Sequence, residues 1–518
     1  MTPTSASGLT PSPSGRIIAP VRYSALCSPL RFSALFPRVS RPRFDFAPRR
    51  LLATSTCHGG SHETRSHSLL QTIAGREIEL FLERKVSVKS RKRIVIVFTS
   101  VLLAATCSSP LWAAEARVQV PYKFKGGKDG LGPQAGLVVD SFGNLYGTTQ
   151  LGGGNYRCQH GCGTVFELSP PGNGSNSWTE TVLYRFTGKS DGAEPLGKVI
   201  FDAQGNLYGT TYAGGDFNSQ ACMNSLGMVT ACGVVFELSA PAVPGGAWTE
   251  TVLHSFVGSD GARPNAGLTF DDSGNLYGTT TAGGTPCGGP GCGVVFELSP
   301  PLQPGGEWTY AAIHEFTGGS DGNLSFADLT LDAAQNLYGT TCGGGDNGGG
   351  GVVFELSPPL QQGGDWTETT LHSFPIPSCP HAGVVFDSAS NLFGTTSGGN
   401  NLGTVFELSP SSNGMWTETT IYSFQSLSAD SPEGAPVFDR LGNIYGTLHG
   451  GTCGAIYRLV NHEGVWKESQ YIFPNQQSSQ PCGPIGALVF GKGNALYGTS
   501  VEGGGCSGFC GTVFGVLP

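Results

Sequence analysis

The sequence predicts an all-β protein, a seven-bladed β-propeller of four-stranded antiparallel blades. Three observations predict it. A phrase close to GNLYGTT recurs seven times, each copy belongs to a unit of four short strand-like runs, and the last unit lacks its fourth run. The Asn residues of the seven phrases stand 51 to 69 residues apart. Self-similarity at a fixed period is typical of repeat architectures.

The four runs, here called a to d, have the composition of strands. Run a is apolar, as in GLVVD at Gly136–Asp140, and run b is the NLYGTT phrase. Run c reads TVFEL or VVFEL, as at Thr164–Leu168, and run d reads WTETVLYRF at Trp178–Phe186. Val, Phe, Tyr and Thr dominate the runs, and Gly, Asp and Asn separate them, as expected of strands joined by tight turns. A solenoid of similar repeats is the alternative fold.

The missing fourth run of the last unit distinguishes the ring from the solenoid. The unit ends with CGTVFGVLP at Cys510–Pro518, and no run d follows. A matching run lies at the start of the repeat region, where VQVPYKFK at residues 118–125 resembles ETVLYRFT at residues 180–187, with Tyr122 and Phe124 matching Tyr184 and Phe186. A ring needs this strand, because closure removes two exposed sheet edges. We therefore expect residues 118–125 to complete blade seven and close the ring.

The N-terminal part of the chain predicts export. Residues 86–116 contain a basic segment, the apolar run Ile94–Ala105 and an A-x-A site ending at Ala116. This pattern indicates a secretory signal peptide, and the apolar run is too short for a comfortable membrane span. Residues 1–85 are then a disordered or mis-called upstream extension, and residues 117–518 form one propeller domain. The expected location is extracellular or periplasmic, with no membrane span after signal cleavage.

The charge of the propeller region excludes one class of partner. Residues 117–518 carry 32 acidic and 13 basic side chains. Nucleic-acid binding requires a basic stripe that displaces counterions, so no nucleic-acid partner is expected. The sequence also contains no nucleophile elbow, zinc-protease motif, phosphate-binding loop or dinucleotide fingerprint.

Twelve of the 15 Cys residues follow the predicted cleavage site, and an even number in a secreted chain predicts disulfides. Four close pairs lie in b–c loops. Cys379 and Cys482 each lie four residues before a Gly in a d–a link, and Cys342 and Cys453 lie in the preceding b–c loops. The predicted bridges are Cys158–Cys162, Cys222–Cys232, Cys287–Cys292, Cys342–Cys379, Cys453–Cys482 and Cys506–Cys510. Zinc is an alternative at CQHGC, residues 158–162, but each pair lies on its own blade, with only His160 nearby.

Several polar residues recur at equivalent positions of the repeats. Run d places a His at one position in three blades, and run c places a Glu in five; because equivalent residues of a propeller form a wide ring, packing roles are expected. The d–a loops present one Asp in four blades. A turn-forming role explains it, and an acidic patch that binds Ca²⁺ or a cationic ligand is the alternative. The residues concerned are His254, His314 and His372; Glu167, Glu237, Glu297, Glu355 and Glu407; and Asp129, Asp191, Asp260 and Asp321.

The phrases GNLYGTT and GCGTVFELSP resemble the Gloeo–Verruco, or GloVer, tandem repeat family, and the resemblance extends over residues 118–518. It implies a secreted or surface-exposed bacterial protein of the choice-of-anchor type. This chain differs in that Pro518 ends the last blade, without an anchor segment, which favours a released or periplasmic protein.

The function expected is that of a secreted, monomeric binding or scaffold propeller for an extracellular glycan, peptide or surface material. No catalytic residue and no cofactor is assigned. A structural or adhesive envelope protein is the first alternative, and a propeller enzyme, such as a lyase, lactonase or glycosidase, is the second. The expected binding face is the one that carries the b–c and d–a loops, because their lengths vary while the a–b hairpins are nearly uniform.

Overall fold

The structure is a computed structural model of the 518-residue chain. It describes residues 118–155, 157–172, 177–216, 222, 232–243, 245–303, 305–361, 363–398, 402–412, 414–425, 431–474, 480–505 and 510–517. The predicted upstream extension and signal peptide, residues 1–116, lie outside these residues.

Seven antiparallel sheets of four strands each form a ring, which confirms the predicted β-propeller. The inner strands, from run a, are β2 (Val138–Val139), β6 (Ile200–Phe201), β10 (Thr269–Phe270), β14 (Thr330–Leu331), β18 (Val385–Phe386), β22 (Val437–Phe438) and β26 (Val489–Phe490). The second strands, from run b, are β3 (Leu145–Thr149), β7 (Leu207–Thr211), β11 (Leu276–Thr279), β15 (Leu337–Thr341), β19 (Leu392–Thr396), β23 (Ile444–Leu448) and β27 (Leu496–Ser500).

The two remaining strands of each blade come from runs c and d. The third strands are β4 (Thr164–Ser169), β8 (Val234–Ser239), β12 (Val294–Ser299), β16 (Val352–Ser357), β20 (Thr404–Pro410), β24 (Ala455–His462) and β28 (Thr512–Val516). The outer strands are β5 (Thr179–Arg185), β9 (Thr249–Ser255), β13 (Thr309–Glu315), β17 (Thr367–Ser373), β21 (Trp416–Ser423), β25 (Val465–Ile472) and β1 (Val118–Lys123). β1 pairs with β28, so the last sheet has the order β1-β28-β27-β26.

The turn of the a–b hairpin explains the Asp that ends run a and the Asn that begins run b. In the first blade, the carboxylate of Asp140 accepts hydrogen bonds from the backbone N–H of Asn144 at 2.8 Å and from its side-chain amide at 2.8 Å. The same pair recurs in blades two to six. In blade seven, Gly491 and Ala495 occupy these two positions, and the turn of the hairpin is a short 3-10 helix, Lys492–Asn494. Asn494 therefore stands one residue before the position of the other six Asn residues.

The Gly of run b makes room for the aromatic residue of run c. A Cβ atom placed on Gly147 would lie 2.8 Å from the ring of Phe166, and on Gly278 it would lie 2.6 Å from that of Phe296. The aromatic residue is fully buried at this position in all seven blades. Since cores are packed at crystal-like density, a larger residue than Gly would displace this ring.

Adjacent blades are joined by one repeated hydrogen bond. The first Thr of run b donates its hydroxyl proton to a carbonyl oxygen in the link before the next inner strand, at 2.8 to 3.4 Å. The bond from Thr499 to Ala135 joins blade seven to blade one. In four of the junctions, a Trp at the start of run d also packs on the run-b Tyr of the preceding blade, as Trp178 does on Tyr497. These contacts connect the seven cores around the ring.

Candidate functional site

The links that lead into the inner strands meet around the ring axis. Residues from all seven links line one cavity, with a volume of ≈ 190 Å³. The cavity opens on the face of the b–c and d–a loops, because these links follow the d–a loops directly. Backbones come very close here: a Cβ atom on Gly486 would lie 2.6 Å from backbone atoms of blade one. This crowding explains why only Gly and Ala occupy the middle position of the seven links.

The residue immediately before that Gly or Ala differs in every blade. It is half-buried and lines the axial cavity in each case. The seven residues, here called the axial ring, are Gln134, Leu196, Asn265, Phe326, His381, Glu433 and Ile485. Sequence analysis did not single them out. The signal that could have found them is a comparison of the seven repeats, in which this position varies beside a neighbour that is always Gly or Ala.

Three adjacent members of the axial ring form an aromatic and acidic cluster with a loop residue. The rings of Phe326 and His381 stack at 4.5 Å between centroids, with an angle of 11° between their planes. The neighbouring Glu433 lies with a carboxylate oxygen 3.4 Å from Nδ1 of His449, which follows strand β23. The structure thus places two imidazoles, a carboxylate and a phenyl ring at one side of the channel mouth.

The protonation states of this cluster follow from burial and charge. Burial lowers the pKa of His381, although the carboxylate of Glu433 opposes the shift in part. Burial alone would raise the pKa of Glu433, but the hydrogen bond from His449 and the charges of both imidazoles outweigh it, and the pKa is lowered. At neutral pH, Glu433 is therefore ionised and His381 neutral.

A second polar feature crosses the cavity. Lys198, in the second blade, and Asp328, in the fourth, form an ion pair of 2.8 Å, and both side chains remain about one-third exposed. The other carboxylate oxygen of Asp328 accepts the backbone N–H of Gly267 at 2.6 Å. Because both ions stay partly hydrated, the pair contributes little stability. Its chemical consequence is a fixed donor and a fixed acceptor on one wall of the channel.

The disulfides cross-link the b–c and d–a loops on the face where the axial cavity opens. The structure contains five of the six predicted pairs: Cys158–Cys162, Cys222–Cys232, Cys287–Cys292, Cys342–Cys379 and Cys453–Cys482. Cys510 is also disulfide-bonded, and its predicted partner, Cys506, lies outside the described residues. The bond between Cys158 and Cys162 leaves neither as a thiolate for zinc.

The two long-range bridges do not occupy equivalent positions. Strand register aligns Val385 with Val489, so Cys379 corresponds to Gly483, and Cys482 lies one residue earlier. Cys342 begins its b–c loop, whereas Cys453 lies near the end of the loop of blade six. The predicted equivalence of Cys379 and Cys482 was thus wrong by one residue. Among the described His, Cys and acidic residues, one group of three lies close enough together to bind a metal: Cys342, Cys379 and His381. Its two Cys residues form the Cys342–Cys379 disulfide.

The four Asp residues of the predicted Ca²⁺ patch each lie in a separate turn. In the second turn, Asp191 is 8% exposed and accepts the backbone N–H of Thr187 at 2.7 Å and the hydroxyl of Tyr184 at 3.1 Å. Asp129, Asp260 and Asp321 bind their own turns in the same way. Each carboxylate therefore has local donors. Cation binding by this set stays a prediction, which a Ca²⁺-dependent shift in melting temperature would test.

The recurring His and Glu residues are distributed around the ring, one per blade. His254 bonds Asp260 at 2.9 Å and stacks on Tyr310 of the next blade. Each Glu of run c accepts the hydroxyl of the Ser two residues later in its own strand, at 2.9 to 3.1 Å. Neither set converges on one point, as expected for packing roles.

The architecture is that of a repeat β-propeller with a polar channel mouth that differs from blade to blade. Residues 219–457 match the family model Gleo_Verruco, described as the Gloeobacter/Verrucomicrobia repeat. The match confirms the family resemblance of the repeated phrases over that part of the chain. Among curated protein sequences, none is significantly similar to this chain.

Solved structures with similar folds are distant in sequence. A putative 6-phosphogluconolactonase from Bacteroides uniformis is 11% identical, with a TM-score of 0.43, over 65% of this chain and 84% of that one. PorZ, a surface component of the type-IX secretion system of Porphyromonas gingivalis, is 14% identical, with a TM-score of 0.45, over 76% of this chain and 48% of that one. A mutant of AofleA from Arthrobotrys oligospora is 11% identical, with a TM-score of 0.36, over 69% of this chain and 90% of that one. No functional inference follows from similarities this low.

Within the part of the chain that the structure describes, no helix has the length and apolar character needed to cross a membrane.

Proposed function

We propose that this protein is a secreted binding protein whose ligand is a glycan that places one end in the mouth of the axial channel. The observation that carries the proposal is the axial ring, whose residues differ in every blade while their neighbours recur. A purely structural ring would have no reason to diversify these positions. Function concentrates on loops that a rigid scaffold holds in place.

The chemistry of the cavity supports a carbohydrate. The stacked rings of Phe326 and His381 offer apolar surface, and the amides of Gln134 and Asn265 offer donors and acceptors elsewhere on the cavity wall. Small-molecule sites combine apolar or aromatic surface with a few placed polar groups in this way. Such sites usually enclose about 300–1,000 Å³. A cavity of ≈ 190 Å³ therefore suits the end of a longer chain rather than a whole ligand.

The disulfides support export. Five bridges fix the loops of the channel face, and disulfides of this kind persist in oxidising compartments such as the periplasm and the extracellular medium. An extracellular location also gives the protein access to glycans of cell surfaces.

The test is polysaccharide and oligosaccharide binding by the purified protein. We expect Phe326→Ala and Glu433→Gln each to weaken binding by at least about tenfold, the effect of losing roughly 1.4 kcal/mol. Leu360→Ser is the matched control, because Leu360 is 103% exposed at the tip of a c–d hairpin, outside the cavity. Binding that survives both channel variants, or that the control weakens equally, would refute the proposed site.

A second candidate function, an enzyme, is favoured by the Glu433–His449 pair. A carboxylate that holds an imidazole at 3.4 Å is an arrangement used for general acid–base catalysis. An enzyme of this kind would convert the bound glycan. The measurement is product formation at saturating concentrations of any glycan that binds. Turnover that Glu433→Gln and His449→Asn both abolish under these conditions identifies the enzyme, and binding to the parent protein without products identifies the binding protein.

A further inference from the structure

The seam between the outer strands of neighbouring blades is filled by an Asp-containing turn at four junctions. There, a Tyr or His near the end of the outer strand binds the Asp of the following turn. The four pairs are Tyr122–Asp129, Tyr184–Asp191, His254–Asp260 and His314–Asp321, at 2.9 to 3.3 Å. The Gly after the Asp packs against the second Thr of run b, as Gly261 does against Thr280, with no room for a Cβ atom.

The junction between blades four and five lacks this turn. The link after strand β17 reads PIPSC from Pro375 to Cys379, with no Asp and no Gly. A cavity of ≈ 280 Å³ opens in the seam. His372 and Glu418 line it, together with the hydroxyl-bearing Thr396 and Thr404. Thr396 holds the position of the Thr that the turn Gly covers at the four junctions with the Asp turn. The space that the Asp turn fills elsewhere is therefore open here.

The polar wall of this cavity combines a carboxylate, an imidazole and two hydroxyls, all of which can accept hydrogen bonds. The carboxylate of Glu418 accepts the hydroxyl of Thr420 at 3.0 Å, and the hydroxyls of Thr396 and Thr404 bond each other at 2.8 Å. Burial lowers the pKa of His372, with a smaller opposite effect from Glu418, so the imidazole is neutral near pH 7 and has one ring nitrogen that can accept a hydrogen bond. An anion would meet the Glu418 carboxylate, whereas a cation with several N–H donors would find partners.

Next to His372, the lining of the cavity is apolar. Phe374, Pro375, Ile376 and Pro377 line it, and the side chain of Ile376 is 67% exposed. A short alkyl chain could cover this surface while its charged end meets the carboxylate, as lysine side chains do when they bury their methylenes and keep the ammonium in a polar environment.

We propose that the seam between blades four and five binds an alkylammonium group, carried by a lysine side chain or by a free linear amine. The ammonium lies between Glu418 and His372, and the alkyl chain lies along Phe374 and Ile376. This site is separate from the axial channel and does not depend on the glycan proposal.

Calorimetric titration of the full chain with n-pentylamine, Nα-acetyl-lysine N-methylamide, 1-pentanol and pentanoate tests the proposal. We expect the two ammonium compounds to bind and the alcohol and the acid not to bind. Binding of pentylamine alone identifies a free amine as the ligand source, and binding of both admits a peptide lysine. If neither ammonium compound binds at millimolar concentration, the proposal is overturned, and it is also overturned if pentanoate binds more tightly than pentylamine.

Variants locate the site. Glu418→Gln should weaken amine binding by at least about tenfold. Ile376→Ser should weaken the binding of pentylamine more than the binding of methylamine. Glu368→Gln is the matched control, because Glu368 holds the equivalent position in blade four, where the Asp321 turn fills the seam. Glu433→Gln controls for the channel. The assignment is contradicted if Glu368→Gln or Glu433→Gln weakens amine binding as much as Glu418→Gln does, or if Glu418→Gln leaves binding unchanged.

Discussion

The Thr after the Gly of run b forms a hydrogen bond from each blade to the next. Its hydroxyl donates to the carbonyl next to the axial ring, as Thr210 does to Ala266 at 2.8 Å. Thr210 is only 1% exposed, so loss of its hydroxyl would leave the carbonyl without this donor. One short polar side chain thus connects the repeat phrase to the position of the variable channel residues.

Replacement of Thr210 by Val should lower the free energy of unfolding by about 1–2 kcal/mol, because Val keeps the shape and removes the hydrogen bond. Urea denaturation measures the effect. Thr251→Val, on strand β9, is a control that retains the β-branched shape. An equal loss in both variants would show that the interblade bond has no special contribution.

The buried Glu residues of run d make stability depend on pH. Burial, and then the nearby Asp191, raise the pKa of Glu250 to about 7. Burial likewise raises the pKa of Glu180 to about 7, with Asp129 adding to the shift. A carboxyl whose folded pKa exceeds its unfolded value favours folding when protonated. Stability should therefore fall as pH rises from about 4.5 to about 7.

In Glu250→Gln, the fall in stability between pH 5 and pH 8 should be smaller than in the parent by about 1 kcal/mol, a value reduced for partial solvent exposure. Melting temperatures across this range provide the measurement. Glu307→Gln, at an exposed position, is the control. A parallel pH profile for parent and Glu250→Gln would show that Glu250 ionises normally in the folded protein.

At the scale of elements, β1 differs from every other outer strand in coming from the opposite end of the repeat region. It pairs with β28 from Val118 to Lys123, and Tyr122 lies opposite Val513. Phe124, the residue after the strand, is fully buried, and its ring centroid lies 5.1 Å from that of Phe166 in blade one. β1 and Phe124 therefore contribute both backbone pairing and a buried aromatic side chain to the junction of blades seven and one.

Deletion of residues 118–124 should abolish cooperative folding or cause aggregation, because the edge of β28 and the core around Phe166 would be exposed. Thermal unfolding and size-exclusion chromatography measure both effects. Deletion of residues 1–85 is the control and should leave the propeller unchanged. A monomeric protein of parental stability after removal of 118–124 would contradict the role of β1 in closing the ring.

At the scale of the whole molecule, the disulfides differ in how much of the chain they constrain. Cys342–Cys379 and Cys453–Cys482 span 37 and 29 residues and join a b–c loop to the following d–a link. Cys158–Cys162 and Cys287–Cys292 span 4 and 5 residues within single loops. Because the entropy lost by the unfolded chain grows with loop length, the long bridges should stabilise more.

Replacement of Cys342 and Cys379 by Ser should cost about 3–4 kcal/mol of stability, against about 2 kcal/mol for the same change at Cys287 and Cys292. Guanidinium unfolding under non-reducing conditions provides the comparison. Non-reducing peptide mapping checks the pairs themselves, including Cys506–Cys510. Free thiols, or partners other than these, would contradict the assignment.

The repeats alone are sufficient to predict the architecture. The four runs, the seven units and the position of the N-terminal strand could be predicted because they depend on short patterns that recur, and the close cysteine pairs at 158/162, 222/232 and 287/292 because each lies within one loop. Hydrogen bonds between Asp140 and Asn144, or room beside Gly147 for Phe166, are made within one blade, so each repeat carries the same information.

The location of the chemistry depends instead on how the blades assemble. Phe326, His381 and Glu433 are separated by about fifty residues each, and they meet because the ring brings one position of every repeat to the axis. The cavity beside Glu418 exists because the Asp-containing turn that fills four of the other seams is absent here, and its volume depends on how two blades pack. Both sites consist of departures from the repeat. A residue that differs from the repeat cannot be located by comparison with the other units. Which residues surround it is known only when the blades are packed together.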